Sequence, residues 1–308
     1  MVIHQDLVIM PDSSGLTIIL PVYNEEECVI QELERIIQSA KKIGNPFEII
    51  LIDDFSKDNS KKLIEDFLTK NNQFSNESFD VKFLKNRKNF GSGYSRKVGS
   101  ISAKFDNIVW TDVDMSYPND EIHLLYDHFK KTGSDMCVGN RTSEEGTFKF
   151  LRFPVKYLIR KFAEFLSEEK IEDLNSGFRI FKKNIAEKYF NLLPKGFSCV
   201  TTITLSFLCN DHFVNYIDIK YSKRAGISKF HFIKDTFKYI RQIILMTVIY
   251  NPLKVYFLVF LIFLFASLFI SIYGFIKFNT IPNSAVTLFI ASIIFLALGS
   301  LAEAIRKK

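Results

Sequence analysis

The chain has 308 residues, 47% hydrophobic and 15% aromatic, with a net charge of +6. That is enough apolar material for a full buried core plus an appendage. The charge is modest and no basic groove motif accompanies it, which excludes a nucleic-acid partner and suits an anionic membrane surface.

Residues Met1 to Pro11 include His4, Gln5 and Asp6 and lack the basic start and long apolar core of a signal peptide. Leu16 to Tyr23 is a β-type run broken at Pro21, followed by a helical pattern through Ile30, Leu33, Ile36 and Ile37, with Asn24 as the expected N-cap. Phe47 to Ile52 is an apolar strand ending in Asp53-Asp54, and a second helix follows through Leu63, Ile64, Phe67 and Leu68. Strand, helix, strand, helix implies a parallel sheet with right-handed crossovers, and ligands bind such sheets beyond the carboxyl ends of the strands.

A third strand, Val81 to Leu84, runs into Gly91-Ser92-Gly93 and a helix beginning near Ser92. Backbone N–H groups in such a turn can approach an anion, with Arg96 and Lys97 adding charge; a tight strand-to-helix turn accounts for the glycines equally well. Asn107 to Asp114 is expected to be a strand ending in two carboxylates on one side. Asp112 and Asp114 so close together repel; protonating one of them relieves this, as does a hard divalent cation such as Mg²⁺ or Mn²⁺ between them that completes its shell from substrate phosphates. An isolated D-x-D is more often a solvated strand end, so its neighbours have to decide.

Met136 to Arg141 reads as another strand, and Lys149 to Phe162 interleaves basic and apolar residues. That segment either lies on an anionic bilayer or packs on the sheet with a solvated basic face. Asp173 to Arg179 places a carboxylate, small polar groups and a guanidinium in one loop. From Tyr221 the chain turns basic and aromatic, and Ile233, Phe237, Ile240, Ile243 and Ile244 oppose Lys234, Lys238 and Arg241, as in a helix lying on the cytoplasmic leaflet. Pro252 to Ile276 and Ser284 to Ala302 are each about the ~20 residues that cross a bilayer. Arg241 and Lys254 precede this expected hairpin and Arg306-Lys307-Lys308 follow it, so both termini are expected to be cytoplasmic. Cys28, Cys137, Cys199 and Cys209 show no ligand spacing and fit reduced thiols. The expected divisions are a catalytic domain over residues 1–222, juxtamembrane helices over 223–250 and a hairpin over 251–308.

PVYNEEE, LIDDFSKDNS, NRKNFGSGYSRKVG, TDVDMSYPND and DLNSGFRIFKK occur in the order and spacing of family 2 inverting glycosyltransferases. Over roughly residues 15–230 the chain resembles that family, and the polyisoprenyl-phosphate glycosyltransferases within it. The resemblance implies an α/β GT-A fold, Rossmann-like with a mostly parallel sheet, carrying a C-terminal α-helical transmembrane hairpin as in bacterial relatives. It implies that Pro21, Tyr23, Glu25 and Asp54 hold the base and ribose of a nucleoside-diphosphate sugar, of UDP or GDP type, and that Asp112 and Asp114 bind the metal on its diphosphate. Arg224 and Lys229 match positions near the diphosphate, although attraction to anionic lipid accounts for them as well.

Asp173, Arg141 and Arg179 would line the acceptor side. Asp173 would act as base or, for a lipid phosphate that is already anionic, only orient it while the two arginines bind the phosphate. The implied enzyme is an integral protein of a bacterial plasma membrane that transfers sugar to a polyprenyl phosphate on the cytoplasmic face, as a homo-oligomer like its relatives. Two positions depart from the family: Phe55 where Gly is common, and Met115-Ser116 where Leu-Gln is common. Transfer to another lipid or glycan is one rival, but the single Trp, Trp110, leaves no Gln-x-x-Arg-Trp motif of processive synthases. A non-catalytic nucleotide-binding scaffold is the other, and the intact Asp112, Asp114, Asp173 and Arg179 count against it.

Overall fold

The computed structural model describes residues 12–70, 78–144, 157, 160–165, 167–196, 198–224 and 232–306. The chain divides into two units, residues 1–239 and 240–308. The first contains the strands β1 (Asp12–Val22), β2 (Phe47–Asp53), β3 (Phe79–Lys85), β4 (Phe105–Trp110), β5 (Met136–Glu144), β6 (Arg179–Lys182) and β7 (Val214–Tyr221). They form one sheet in the order β3-β2-β1-β4-β6-β5-β7. Helices α1 (Val29–Lys41), α2 (Ser60–Lys70), α3 (Ser92–Ile101) and α4 (Ile122–Thr132) connect the strands of the amino-terminal half, and a helix at Cys199–Leu208 precedes β7.

Strands β2 and β4 are buried along their whole length, as strands covered by helices on both faces must be. On one face Leu16, Ile18, Leu20 and Val22 pack with Val29, Leu33 and Ile36 of α1 and Leu125 and Phe129 of α4. On the other, Ile19, Ile50, Ile52 and Trp110 pack with Phe181 and with Val200, Ile203 and Phe207 of the Cys199–Leu208 helix. The alternation of apolar residues in β1 thus feeds two cores at once.

Register decides where the loops emerge. β1 and β2 run parallel and finish level, Val22 beside Asp53. β4 pairs Ile19 with Trp110 and stops there, so its chain leaves the sheet three positions short of the end of β1. β6 runs against both its neighbours, with Arg179 beside Trp110 on one side and Val138 on the other. That reversal brings the loop before β6 to the same edge as the loops that follow β1, β2 and β4.

Two local expectations are corrected. The strand expected to continue to Asp114 ends at Trp110, because Thr111 Oγ1 donates to Asn119 Oδ1 (2.6 Å) and Asn119 Nδ2 donates to the Asp112 carbonyl (2.9 Å), folding the chain back. Asn24 does not cap α1, which begins after Cys28 with no side-chain cap. Its side chain instead accepts the Lys57 N–H at 2.8 Å.

The second unit begins inside a continuous helix, Phe232–Tyr250. From Ile240 onward this helix buries Ile243, Met246 and Tyr250 and exposes Ile240, Arg241, Ile244 and Leu245. Pro252 opens the next helix, where its missing N–H is no loss. Helices Pro252–Phe278 and Asn283–Arg306 are long and apolar enough to cross a membrane. They pair antiparallel: Ser267 Oγ donates to the Ala285 carbonyl (2.7 Å), Gly274 lies under Pro282 and Gly299 under Tyr256. Outward-facing Ile262, Phe265, Phe269, Ile272 and Ile276 are exposed, as lipid-facing positions are.

Candidate active site

Three strands end at one edge, and each is followed by a non-glycine residue in the left-handed region: Asn24 (φ 53°) after β1, Phe55 (φ 67°) after β2 and Met115 (φ 64°) after β4. Such backbones are disfavoured for residues with a Cβ and gather at functional sites. The loops after β1 and β2 are laced together: Ser56 Oγ accepts the Asn24 N–H (3.1 Å) and Ser60 Oγ that of Glu25 (2.8 Å). Pro21, the penultimate residue of β1, lies opposite Ile52, and Tyr23 and Glu25 follow the strand, partly exposed at this edge.

Asp54 is buried, and its oxygens accept the side-chain amide of Asn86 (2.8 Å) and the N–H groups of Phe90 (2.9 Å) and Gly91 (2.7 Å). It thereby shapes the turn before α3. The glycines of that turn serve packing. A Cβ on Gly91 (φ 96°) would lie 2.5 Å from the Lys195 carbonyl, and one on Gly93 2.2 Å from that of Pro194. The Gly91 N–H is taken up by Asp54, and the backbone of residues 194–196 lies close against the glycines of the turn.

The two D-x-D carboxylates are each matched by a guanidinium. Arg96, buried on α3, donates to Asp112 Oδ1 at 2.6 Å. Arg224, just past β7, donates to Asp114 Oδ2, and the Ser116 hydroxyl donates to Asp114 Oδ1. Asp114 is only 2% exposed, whereas the Asp112 side chain is 28% exposed. Arg96 thus acts through Asp112 and is too deeply set to meet a ligand at the surface; Lys97 points elsewhere, to Asn191.

On the far side of the D-x-D, Asp173 accepts Arg141 Nε (2.6 Å), Arg141 Nη2 (2.9 Å) and the N–H of Asn175 (2.9 Å). Burial raises its pKa, but the Arg141 charge and these hydrogen bonds outweigh it and hold the carboxyl below the usual range. Arg179 does not stand beside Arg141 as a phosphate ligand. It is fully buried, and its donors go to the carbonyls of Ser176 and Val200 and to Thr204 Oγ1 (2.6 Å). Burial lowers its pKa to about 10, which still leaves it charged at neutral pH. Lys229 lies outside the described residues, as does much of Lys149 to Phe162.

Several residues that hold the site together escaped the motif reading. The Tyr117 hydroxyl accepts the Gly177 N–H at 2.7 Å, tying the D-x-D loop to the Asp173–Arg179 loop. A Cβ at Gly177 would lie 3.0 Å from Asp112 Oδ2, so that loop sits directly against the Arg96–Asp112 pair. Buried Glu32 of α1, its pKa raised by burial, accepts Asn119 Nδ2 and pairs with Arg35, which also reaches Asp120. The signal was present as Tyr-Pro-Asn-Asp immediately after the acids, but it read as turn chemistry.

Asp112 and Asp114 fit a hard divalent cation: both are oxygen donors, one reachable and one fixed by Ser116. Among the described residues no group of three His, Cys, Asp or Glu side chains gathers, so such an ion would draw its other ligands from phosphate and water.

Comparison with known proteins places the chain among glycosyltransferases. The chain is 26% identical over 229 residues to an undecaprenyl-phosphate 4-deoxy-4-formamido-L-arabinose transferase of Pectobacterium atrosepticum, covering 72% of the chain and 64% of that protein. It is 26% identical over 195 residues to a dolichyl-phosphate beta-glucosyltransferase of Dictyostelium discoideum, covering 59% of the chain and 58% of the relative. The chain thus spans less than two thirds of either relative. Glucosyl-3-phosphoglycerate synthase of Mycobacterium tuberculosis, solved with Mn²⁺, UDP-glucose and phosphoglyceric acid, shares the fold at a TM-score of 0.53 and 13% identity, over 76% of this chain and 80% of that one. S. aureus TarS 1-349 with UDP-GlcNAc does so at 0.53 and 17% identity, over 75% and 66%. Residues 251–307 match the GtrB C-terminal hairpin. Residues 17–190 match Glycosyl transferase family 2, and the chain belongs to that family, with the GT-A sheet that its motifs implied.

Proposed function

We propose that the protein transfers a sugar from a nucleoside diphosphate to a polyprenyl phosphate with inversion, held in a bacterial membrane by its hairpin with the catalytic unit and both termini on the cytoplasmic side. The observation that carries this is the pair of opposed ion pairs, Arg96–Asp112 and Arg224–Asp114, set beside the Asp173–Arg141 pair at the carboxyl edge of the sheet. The names of the relatives support the acceptor class, and the ligands of the solved neighbours make UDP the first nucleotide to try.

Arg96 holds Asp112 in place from below, while Arg224 is the guanidinium nearest the surface and is suited to the diphosphate. Mg²⁺ or Mn²⁺ held by Asp112 and Asp114 would help offset the charge of the departing diphosphate. A phosphate oxygen of the lipid attacks the anomeric carbon on the face opposite the diphosphate; its bond to carbon forms as the carbon–oxygen bond to the diphosphate breaks, so the configuration inverts. That nucleophile carries no proton at neutral pH. Asp173 therefore has none to remove, and its task is to fix Arg141 where an acceptor phosphate can meet it.

The test is transfer by the purified full-length protein in detergent, with undecaprenyl phosphate, Mg²⁺ or Mn²⁺, and radiolabelled UDP- and GDP-sugars. Labelled lipid is expected with one donor, lost with EDTA and reduced about a hundredfold or more in Asp112→Asn. Donor that is hydrolysed without labelled lipid would reject the acceptor. If no donor binds, the scaffold reading replaces the enzyme.

A further inference from the structure

The three left-handed residues at the strand ends differ in what their side chains do. Asn24, a residue type that tolerates this backbone, accepts the Lys57 N–H. Met115 Sδ lies 3.8 Å from Arg35 Nη1. Phe55 has no such internal reason: no aromatic ring or cationic group among the described residues packs on it, and it is 48% exposed.

Its backbone is nonetheless fixed on both sides. The Asp54 N–H donates to the Val22 carbonyl (2.8 Å) and the Ser56 N–H to Asp53 Oδ1 (3.2 Å). A β-carbon at φ 67° is strained, and glycine would fit there without penalty. The fold therefore keeps an unfavourable residue in an unfavourable conformation and turns its ring outward, the mark of a position retained for a ligand.

We propose that Phe55 is the platform on which the donor's nucleobase stacks. This rests on the donor class given above. The polar residues that follow Phe55 in the chain, Ser56, Lys57 and Asp58, all hydrogen-bond across to the loop after β1, at Asn24 and Glu26. One flat apolar face set among polar groups suits a heteroaromatic ring, which stacks through its π-face and is polar at its edges. A bilayer or an isoprenoid tail would call for several apolar side chains together.

Equilibrium binding of UDP, GDP and inorganic pyrophosphate to the full-length protein in detergent tests this, using wild type, Phe55→Gly and Phe55→Tyr. Phe55→Gly is expected to weaken binding of the nucleotide that wild type prefers about tenfold, leave pyrophosphate binding unchanged, and keep or raise the melting temperature. Phe55→Tyr is expected to bind within twofold of wild type. Nucleotide affinity unchanged in Phe55→Gly overturns the proposal while the donor class stands. Equal loss of pyrophosphate and nucleotide also overturns it, because the effect would then not depend on the base. If wild type binds neither nucleotide, the donor reading fails and the platform with it.

Discussion

Asp173 is buried, yet the neighbouring guanidinium and backbone donors keep it ionised. Because its folded pKa is depressed, its contribution to stability is complete above the unfolded value of about 3.9 and is lost only as pH falls through the folded value, below the ordinary aspartate range. No titration of Asp173 therefore falls between pH 5 and 8. The pH profile of kcat/KM is expected to carry its acid limb near about 6, from the second ionisation of a phosphate monoester acceptor. Asp173→Asn should lower the rate tenfold or more by releasing Arg141, roughly 2 kcal/mol of lost positioning, while the limb keeps its midpoint. A limb that vanishes in the variant would make Asp173 the base after all. Arg179 shows how little a residue's type says about its exposure: the same guanidinium that reads as a phosphate ligand in the motif ends as an internal brace between Ser176 and Val200.

At the level of elements, the turn before α3 joins two functions through one backbone: Asp54 holds its N–H groups, and residues 194–196 lie against its glycines. A methyl group at Gly93 would meet the Pro194 and Gly196 carbonyls at 2.2 and 2.7 Å, and neither is a flexible side-chain end. Gly93→Ala is thus expected to destabilise the protein by about 1–3 kcal/mol, read as a lower melting temperature. The early strands and helices were legible because each combines a clear period with turn residues at its ends. The helix Cys199–Leu208 was not: all ten residues are buried and four are β-branched threonine or isoleucine between Thr201 and Thr204, so it has no polar face and a strand-like composition. β6 has only four residues, too few to show a period. The D-x-D seemed to extend its strand because the fold-back depends on Asn119, eight residues away from Thr111.

Across the whole molecule the two units answer to different solvents. Helices of 27 and 24 residues are about 40 and 36 Å long, more than the ~30 Å apolar thickness of a bilayer. Deleting residues 251–308 is expected to move the protein from the membrane to the soluble fraction on ultracentrifugation. UDP affinity should stay within about twofold, while transfer to undecaprenyl phosphate in vesicles falls about tenfold or more for want of local concentration. The reversed strand β6 bears on how the site is assembled during folding. Glu48 of β2 meets Thr17 across 31 residues of chain, whereas Gly177 reaches Tyr117 across 60 and Arg224 reaches Asp114 across 110. Closing a longer loop is entropically harder, and a chain leaving the ribosome makes its first half first. Arg96 and Asp112 can therefore pair while Arg224 is still being synthesised, and among the contacts described at this edge the last to form is the one that neutralises Asp114.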